Sequence, residues 1–146
     1  MITTVVTPVI PGRMDQKETE RFMAESRAAH NGVGFARRTT TTDGLTANDV
    51  TIWSVAGMPH NSTTNLTFFV RASDFTVTGA WFHYSYMFTR ATGAPVLVGF
   101  TIIDQFIGGS QTAAAIITAD DGLAVTVNDG GSGSAYTWDA WIYTRT

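Results

Sequence analysis

Short apolar segments follow one another through most of this chain, with turn residues between them and no helix-like pattern to separate them. The sequence predicts eight strands, at about residues 35–42, 50–56, 66–71, 75–89, 96–104, 112–119, 123–128 and 136–145. The breaks between them carry turn residues such as Asp43-Gly44. Strands spaced so closely, without intervening helices, predict an all-β fold, an antiparallel β-sandwich or a jelly-roll-like arrangement, and not a parallel sheet.

The beginning of the chain differs in composition from the rest. The only lysine, Lys17, and all three glutamates lie there, whereas residues 39–146 contain neither Lys nor Glu. The length of 146 residues fits one compact domain. We therefore expect an N-terminal arm and helix over 1–34 and a β-sandwich domain over 35–146.

Two elements are predicted within the N-terminal part. Residues 2–10 are rich in Val, Ile and Thr and are bounded by prolines, which indicates an extended arm or an edge strand. The sequence of residues 15–31 predicts one short helix, because Asp15 can cap its start and Gly32 follows its last turn. Phe22 and Met23 lie on its apolar stripe, which packs either against the same domain or against a neighbouring subunit.

Several predicted strands are apolar on both faces. The segment VLVGFTII has large apolar residues at odd and even positions, and AWFHYSYMFTR does so through Trp81 and Met87. In the last strand, Trp141 and Tyr143 lie on the face that should meet water. Because a sandwich on its own alternates apolar and polar positions, we expect the helix, loops or copies of the same chain to cover the outer face. The candidate interface residues are Trp141, Tyr143, Trp81, Met87, Phe22 and Met23.

Composition and charge exclude some classes of partner. The formal net charge of −3 offers no massed basic surface for a nucleic-acid backbone, so no nucleic-acid partner is predicted. No apolar run of 18 residues occurs, so no membrane partner is predicted, and the first residues lack the pattern of a cleaved signal peptide. With 44% hydrophobic but only 14% charged residues, part of the surface is expected to be covered by other chains.

Metal-binding and catalytic patterns are weak. His30, His60 and His83 occur singly, without the spacing that places two imidazoles on one metal, so no metal and no cofactor are predicted. His83 lies in an aromatic strand and is expected to be a partly buried packing residue, whereas His60 lies in a loop. No set of acid, base and nucleophile can be named.

The aspartates near the last turns admit two interpretations. Asp120, Asp121 and Asp129 can supply oxygen ligands to a calcium ion, or they can simply form the turns, and turn formation is the favoured interpretation.

For two other motifs, too, a structural interpretation is favoured over a functional one. GGSGS at 130–134 is expected to be a flexible hairpin loop and not a nucleophile elbow, and Arg37-Arg38 indicates an edge strand protected by charge in preference to a small anion site.

The last part of the chain, residues 96–146, has the sequence VLVGFTIIDQFIGGSQTAAAIITADDGLAVTVNDGGSGSAYTWDAWIYTRT. It contains a valine-rich strand, a glycine loop, an acidic turn, the strand LAVTV, a small-residue loop and a final aromatic strand. This order resembles the C-terminal β-sandwich segments of tailed-bacteriophage structural proteins, especially tail and fibre proteins. The resemblance covers about a third of the chain. It implies a virion protein that assembles as a symmetric oligomer, often a trimer.

These observations lead to two functional hypotheses. The first is a non-enzymatic virion structural protein, either a capsid decoration protein or a small tail or fibre subunit, located in the virion after assembly in the host cytoplasm. Its expected partners are copies of itself, with a homotrimer favoured, and major capsid or tail proteins. The alternative is a glycan- or receptor-binding module for a host surface glycan, with Trp53, Trp81 or Trp141 as a stacking platform. An enzyme is the third and least favoured hypothesis.

Overall fold

A computed structural model describes residues 17, 18, 20, 21, 33–131 and 133–146. Its strands are β1 (Val33–Thr42), β2 (Val50–Val55), β3 (Ser62–Ser73), β4 (Gly79–Arg90), β5 (Val96–Ile107), β6 (Thr112–Ile117), β7 (Leu123–Asn128) and β8 (Tyr136–Arg145). They pair antiparallel in two sheets, which confirms the all-β prediction. The predicted arm, Phe22, Met23 and all but four residues of the predicted helix lie outside the described residues.

The two sheets differ in width. The larger sheet has the order β1-β8-β3-β4-β5, and the smaller has the order β2-β7-β6. The C-terminal strand β8 therefore lies inside the larger sheet, between β1 and β3. Among the described strands, β1 and β5 are therefore at the edges of the larger sheet, and Arg37 and Arg38 lie on such an edge strand, as predicted.

The core forms where the alternating strands of the larger sheet face the smaller one. In β3, Leu66, Phe68 and Val70 are fully buried, while the residues between them lie on the outer face. In β8, Trp138 is also fully buried, and its indole Nε1 donates a hydrogen bond to Thr42 Oγ1 at 3.0 Å. Buried and outward-facing side chains therefore alternate along the strands of the larger sheet that pack against the smaller sheet.

The smaller sheet covers only part of the larger one. Its middle strand, β7, is buried from Leu123 to Val127. Ala113 and Ala115 of β6 belong to the same buried core as Tyr84 and Tyr86 of β4, so β6 packs against this part of the larger sheet. β6 is the last of the described strands in its sheet, and β5, at the edge of the larger sheet, is exposed along its length.

The start of β4 corrects one predicted boundary. The strand was expected from residue 75, but it begins at Gly79, because the preceding residues form a turn. Asp74 Oδ1 accepts hydrogen bonds from the backbone N–H groups of Thr76 and Thr78, at 2.9 and 3.1 Å. Phe75 has a φ of 62°, which is incompatible with a strand. The side chain of Asp74 therefore overrides the strand propensity of the segment FTVT.

The predicted hairpin loop at 130–134 is wrong in its connectivity. β7 pairs with β2 and β6, whereas β8 pairs with β1 and β3, so the segment between them crosses from one sheet to the other. Asp129 anchors this crossing, because its Oδ2 accepts the Gly44 N–H at 2.8 Å and its Oδ1 accepts the Gly131 N–H at 2.9 Å. Gly130 and Gly131 have positive φ values of 76° and 66° there, which favour glycine.

Candidate assembly surface on the edge strand

The strand β5 is exposed along its whole length on both faces. Apart from Gly99, which is partly buried, each of its residues is exposed. Eight large apolar side chains of β5 are between 40% and 56% exposed, and we call this set the apolar ridge: Val96, Leu97, Val98, Phe100, Ile102, Ile103, Phe106 and Ile107. An apolar surface of this kind on one strand is a candidate contact surface.

One side of the apolar ridge continues the core face of the sheet. Phe100 packs beside Tyr84 and Tyr86, with ring centroids 5.4 and 4.7 Å apart, and Ile102 lies opposite Tyr84 in the ladder. The Tyr84 hydroxyl donates a hydrogen bond to Gln105 Oε1. Burial raises the pKa of Tyr84, so this hydroxyl keeps its proton and remains a donor at neutral pH. The core side of β5 therefore continues the aromatic packing of the core, while its side chains remain about half exposed in the described part of the chain.

Two β-bulges interrupt the pairing of β5 with β4. The register passes from Asp104 to Ile102 and from Gly99 to Leu97, so Ile103 and Val98 have no direct partner in β4. Each bulge residue is 50% exposed. Bulges twist and bend an edge strand and break the regular row of backbone groups that another strand could pair with.

The outer face of the larger sheet carries a second group, which we call the outer-face cluster: Phe69, Trp81, Trp141, Arg37 and Arg71. The Phe69 ring lies between the two indoles, 6.2 Å from that of Trp81 and 5.8 Å from that of Trp141. The guanidinium carbons of Arg37 and Arg71 lie over the Trp141 ring, 5.1 and 5.2 Å from its centroid. These are cation–π distances, so neighbouring side chains partly cover Trp141.

The predicted interface residues within the described part of the chain lie on this same outer face. Trp81 and Trp141 are partly buried, whereas Met87 is 39% and Tyr143 is 54% exposed. Tyr143 packs against Phe35 of β1, with ring centroids 4.8 Å apart. Their role as interface residues stays a prediction.

Sequence reasoning missed the apolar ridge as a set of site residues. The signal was present, because the segment VLVGFTII is apolar at odd and even positions. What the sequence did not reveal is that this strand is an edge strand of the larger sheet, beyond the reach of the smaller one. The position of β5 in the sheet, as much as its composition, therefore determines that the apolar ridge is exposed.

The three tryptophans named for a stacking platform do not form one surface. Trp53 lies in β2, where it lines an apolar cavity of about 360 Å³ together with Phe35 and Met58. Trp81 and Trp141 lie on the outer face of the other sheet. The strongly exposed aromatic side chains are phenylalanines and Tyr143, not tryptophans.

The aspartates of the last turns make contacts within the protein. The Asp120 carboxylate accepts hydrogen bonds from the Thr118 hydroxyl and the Gly122 N–H, and the Thr118 contact is the main reason why its pKa is lowered. Asp121 forms an ion pair with Arg90 at 3.1 Å. The Asp120 contacts are those of a turn-forming residue, the favoured interpretation, whereas the Asp121 side chain pairs with the last residue of β4.

Asp129 is fully buried, and its environment acts on its pKa in two directions. Burial raises the pKa, but hydrogen bonds from the Gly131 N–H, the Thr42 hydroxyl and the Gly44 N–H lower it by more. The net pKa therefore lies below the usual value of an aspartate, and the carboxylate stays charged at neutral pH.

The described residues contain no group of three or more His, Asp or Glu side chains that could hold a metal ion. His83 is partly buried with its ring edge-on to Phe69, as predicted for a packing residue, and His60 is exposed in its loop. In the same part of the chain, no helix has the length and apolarity needed to cross a membrane.

Comparisons with known proteins add little to this geometry. No family model and no curated protein matches the sequence. One similar solved structure is the tailspike protein gp49 from Acinetobacter baumannii bacteriophage Fri1, a capsular polysaccharide depolymerase, with 12% sequence identity and a TM-score of 0.40. The match covers 96% of this chain and 23% of that one. At this TM-score neither the fold nor the activity of the tailspike protein carries over to this chain.

Proposed function

We propose that this protein is a non-enzymatic structural protein of a bacteriophage virion, a capsid decoration protein or a small tail or fibre subunit, which acts by forming a homo-oligomer on the virion surface. The apolar ridge is the observation that carries the proposal. The proposed partners are copies of the chain, with a homotrimer favoured, and a major capsid or tail protein.

The size of the apolar ridge supports a stable contact with another chain. Eight side chains at roughly half exposure present on the order of 700 Å² of apolar surface, given about 150–250 Å² for an aromatic side chain and somewhat less for Val, Leu and Ile. The largest apolar patch on a typical monomer is about 300–600 Å². One partner in a standard interface contributes about 800 Å². Summed over its two sides, the apolar ridge therefore exposes nearly as much surface as one partner contributes to a standard interface.

The virion assignment is supported by the resemblance of residues 96–146 to the C-terminal segments of phage tail and fibre proteins. The apolar ridge lies in this stretch, in its first strand. A structural protein acts through buried surface and needs no acid, base or nucleophile, which agrees with a site made of apolar side chains. The proposed location is the virion, after assembly in the host cytoplasm.

The test is the native mass of the purified protein, measured by light scattering after size exclusion at several concentrations. A stable closed oligomer is expected, and mass spectrometry of purified particles should detect the chain among the virion proteins. A monomer at every concentration, or absence of the chain from particles, would contradict the proposal.

A glycan- or receptor-binding module is the second candidate, and the outer-face cluster favours it. The guanidinium groups of Arg37 and Arg71 lie over the Trp141 ring, where they can donate hydrogen bonds to sugar hydroxyls or carboxylates. A sugar ring can stack on the indole once these two side chains move aside. The two candidates are compatible if the protein forms a receptor-binding tip.

The discriminating experiment uses a panel of neutral and acidic oligosaccharides with the wild-type protein and Trp141→Ala. Glycan binding predicts tryptophan fluorescence changes that saturate and are lost in Trp141→Ala. Trp53→Phe is the matched control, because Trp53 lies in the other sheet. No saturable binding across the panel would remove this candidate.

A further inference from the structure

The apolar ridge has two sides that face in opposite directions. Side chains opposite buried core residues of β4 form the core side: Leu97, Phe100, Ile102 and Ile107. Side chains opposite outer-face residues of β4 form the outer side: Val96 and Phe106, next to Thr89 and Trp81. Met87 extends this outer side along β4 and is itself 39% exposed. A partner that covers one side leaves the other in water.

The bulges determine how a partner can approach. A second copy could pair its own β5 with this one along the backbone edge, but Val98 and Ile103 break the row of backbone groups into short pieces. Such pairing would also leave both sides of the apolar ridge exposed, because a strand added at the edge extends a sheet without covering its faces. Contact through the side chains, and not through a continuous ladder, is the arrangement that removes this surface from water.

We infer that the two sides of the apolar ridge contact two different copies of this chain, so that the core side of one protomer packs on the outer side of the next around a rotation axis. This inference rests on the proposed function and assigns the contacts within it. An interface between unlike surfaces of identical chains is heterologous; it forms a ring where the rotation closes and an open filament where it does not, and the inference is the closed ring. A two-fold dimer gives each protomer only one neighbour, so a ring of three is the smallest that covers both sides.

Area favours a second copy as the occupant. The core side holds four of the eight ridge side chains and the outer side holds two, so each side alone offers well below the about 800 Å² that one partner contributes to a standard interface. In a ring every protomer buries both sides of its apolar ridge at once, so the apolar surface buried per protomer is the sum of the two contacts. The apolar ridge contains no charged residue, and Asp104 is the sole charge in β5, so the sides can meet with little unpaired charge between them.

The test uses one variant for each side. Phe100→Asp places a charge on the core side and Phe106→Asp places one on the outer side; the two rings are 48% and 55% exposed, so the protomer should still fold. Each variant is expected to weaken assembly about 30-fold or more, as for an interface hot spot, and to run as a monomer by light scattering. Leu45→Asp is the matched control, because Leu45 is 77% exposed in the loop after β1, the described strand farthest from β5 in the larger sheet, and this variant should keep the wild-type mass.

Mixing the two variants in equal amounts distinguishes a ring from a two-fold dimer. In a ring, the intact outer side of Phe100→Asp can bind the intact core side of Phe106→Asp, so native mass spectrometry should find a mixed dimer that does not close. Circular dichroism of each variant should match the wild-type spectrum, which separates loss of assembly from loss of folding.

The outcomes separate the inference from the proposed function. A wild-type ring, two monomeric variants and a mixed dimer would support both. A wild-type dimer that only one variant dissociates, or variants that do not combine, would overturn the ring and leave an oligomeric structural protein standing. A wild-type protein that is monomeric at all concentrations would overturn the proposed function itself.

Discussion

The strands β3 and β5 have similar apolar content but opposite environments. β3 alternates between fully buried side chains, such as Phe68, and side chains on the outer face. In β5 no residue is buried, and Phe100 is 48% exposed although it continues the same side of the sheet through Tyr84 and Tyr86. The difference lies in position, because β3 is an inner strand under the smaller sheet and β5 is an edge strand beyond it.

This comparison shows that residue type alone does not decide which apolar side chains build the core. A phenylalanine in β3 stabilises the protomer, whereas a phenylalanine in β5 is available to stabilise contact with another chain. Substitutions in the two strands should therefore affect different measurements. The following predictions are ordered from the largest expected effect to the smallest.

Phe68→Ala should strongly destabilise the protomer. Phe68 is fully buried and packs against Tyr84 and Tyr86, with ring centroids 5.5 and 5.9 Å apart. Removing a buried phenylalanine costs about 3–5 kcal/mol of unfolding free energy, since it loses apolar burial and leaves a cavity. Urea denaturation followed by circular dichroism measures this cost, and a loss below about 1 kcal/mol would be incompatible with a rigid core at β3.

Asp129→Asn should lower the free energy of unfolding at pH 7 by about 1–3 kcal/mol, because the buried side chain accepts hydrogen bonds from Gly44 and Gly131 that an amide satisfies less well. The folded-state pKa of Asp129 is lowered. Its contribution is therefore present above the unfolded pKa of about 3.9 and is lost as the pH falls through the folded pKa.

The pH dependence supplies the control for this prediction. Denaturation of the wild-type protein should show stability falling below about pH 4, and the fall should be shallower in Asp129→Asn, which has no carboxyl group to protonate. Identical acid profiles for the two proteins would show that Asp129 does not contribute in this way.

Phe100→Ala should change the stability of the isolated protomer by only about 1 kcal/mol, since half of the ring is already in water. The measurement is urea denaturation at protein concentrations low enough to keep the chain monomeric. Phe68→Ala is the same change of residue in β3. Comparing the losses of unfolding free energy in the two variants therefore tests the contrast between β3 and β5. Equal losses for the two variants would mean that β5 belongs to the protomer core.

Arg71→Gln should have the smallest effect, at most about 1 kcal/mol, because Arg71 is 57% exposed and its ion pair with Asp139, at 3.3 Å, is screened by solvent. A double-mutant cycle with Asp139→Asn isolates the pair. The coupling should decrease further at high salt. A coupling energy between Arg71 and Asp139 well above 1 kcal/mol would show that this part of the outer face is shielded from solvent.

Most strand positions could be predicted from the sequence because alternation and turn residues are local properties. The segment 123–128 was predicted with the bounds that β7 has, and 136–145 with those of β8. The start of β4 was wrong because the hydrogen bonds of Asp74 outweigh the strand propensity of the residues that follow it. Sheet order was not predictable, since β1 pairs with β8 about a hundred residues away in sequence.

The candidate site was predictable only in outline. Apolar residues on both faces of 96–104 indicated a covered surface. The interface residues were nevertheless predicted on the outer face, because the largest aromatic residues, Trp141 among them, lie there. Trp141 is in fact partly covered by Arg37 and Arg71, which reach it from neighbouring strands. Such cover depends on pairing between distant segments, which the sequence pattern does not reveal.

The bulges at Val98 and Ile103 also bear on what happens to copies that have not yet assembled. A long apolar edge strand is a template for fibrils, and a zipper of stacked strands needs about six or seven residues in regular extension. The bulges leave the regularly paired stretches of β5 no longer than four residues, at 99–102 and 104–107. Despite its exposed apolar side chains, β5 is therefore a poor template for the stacked strands of an amyloid fibril.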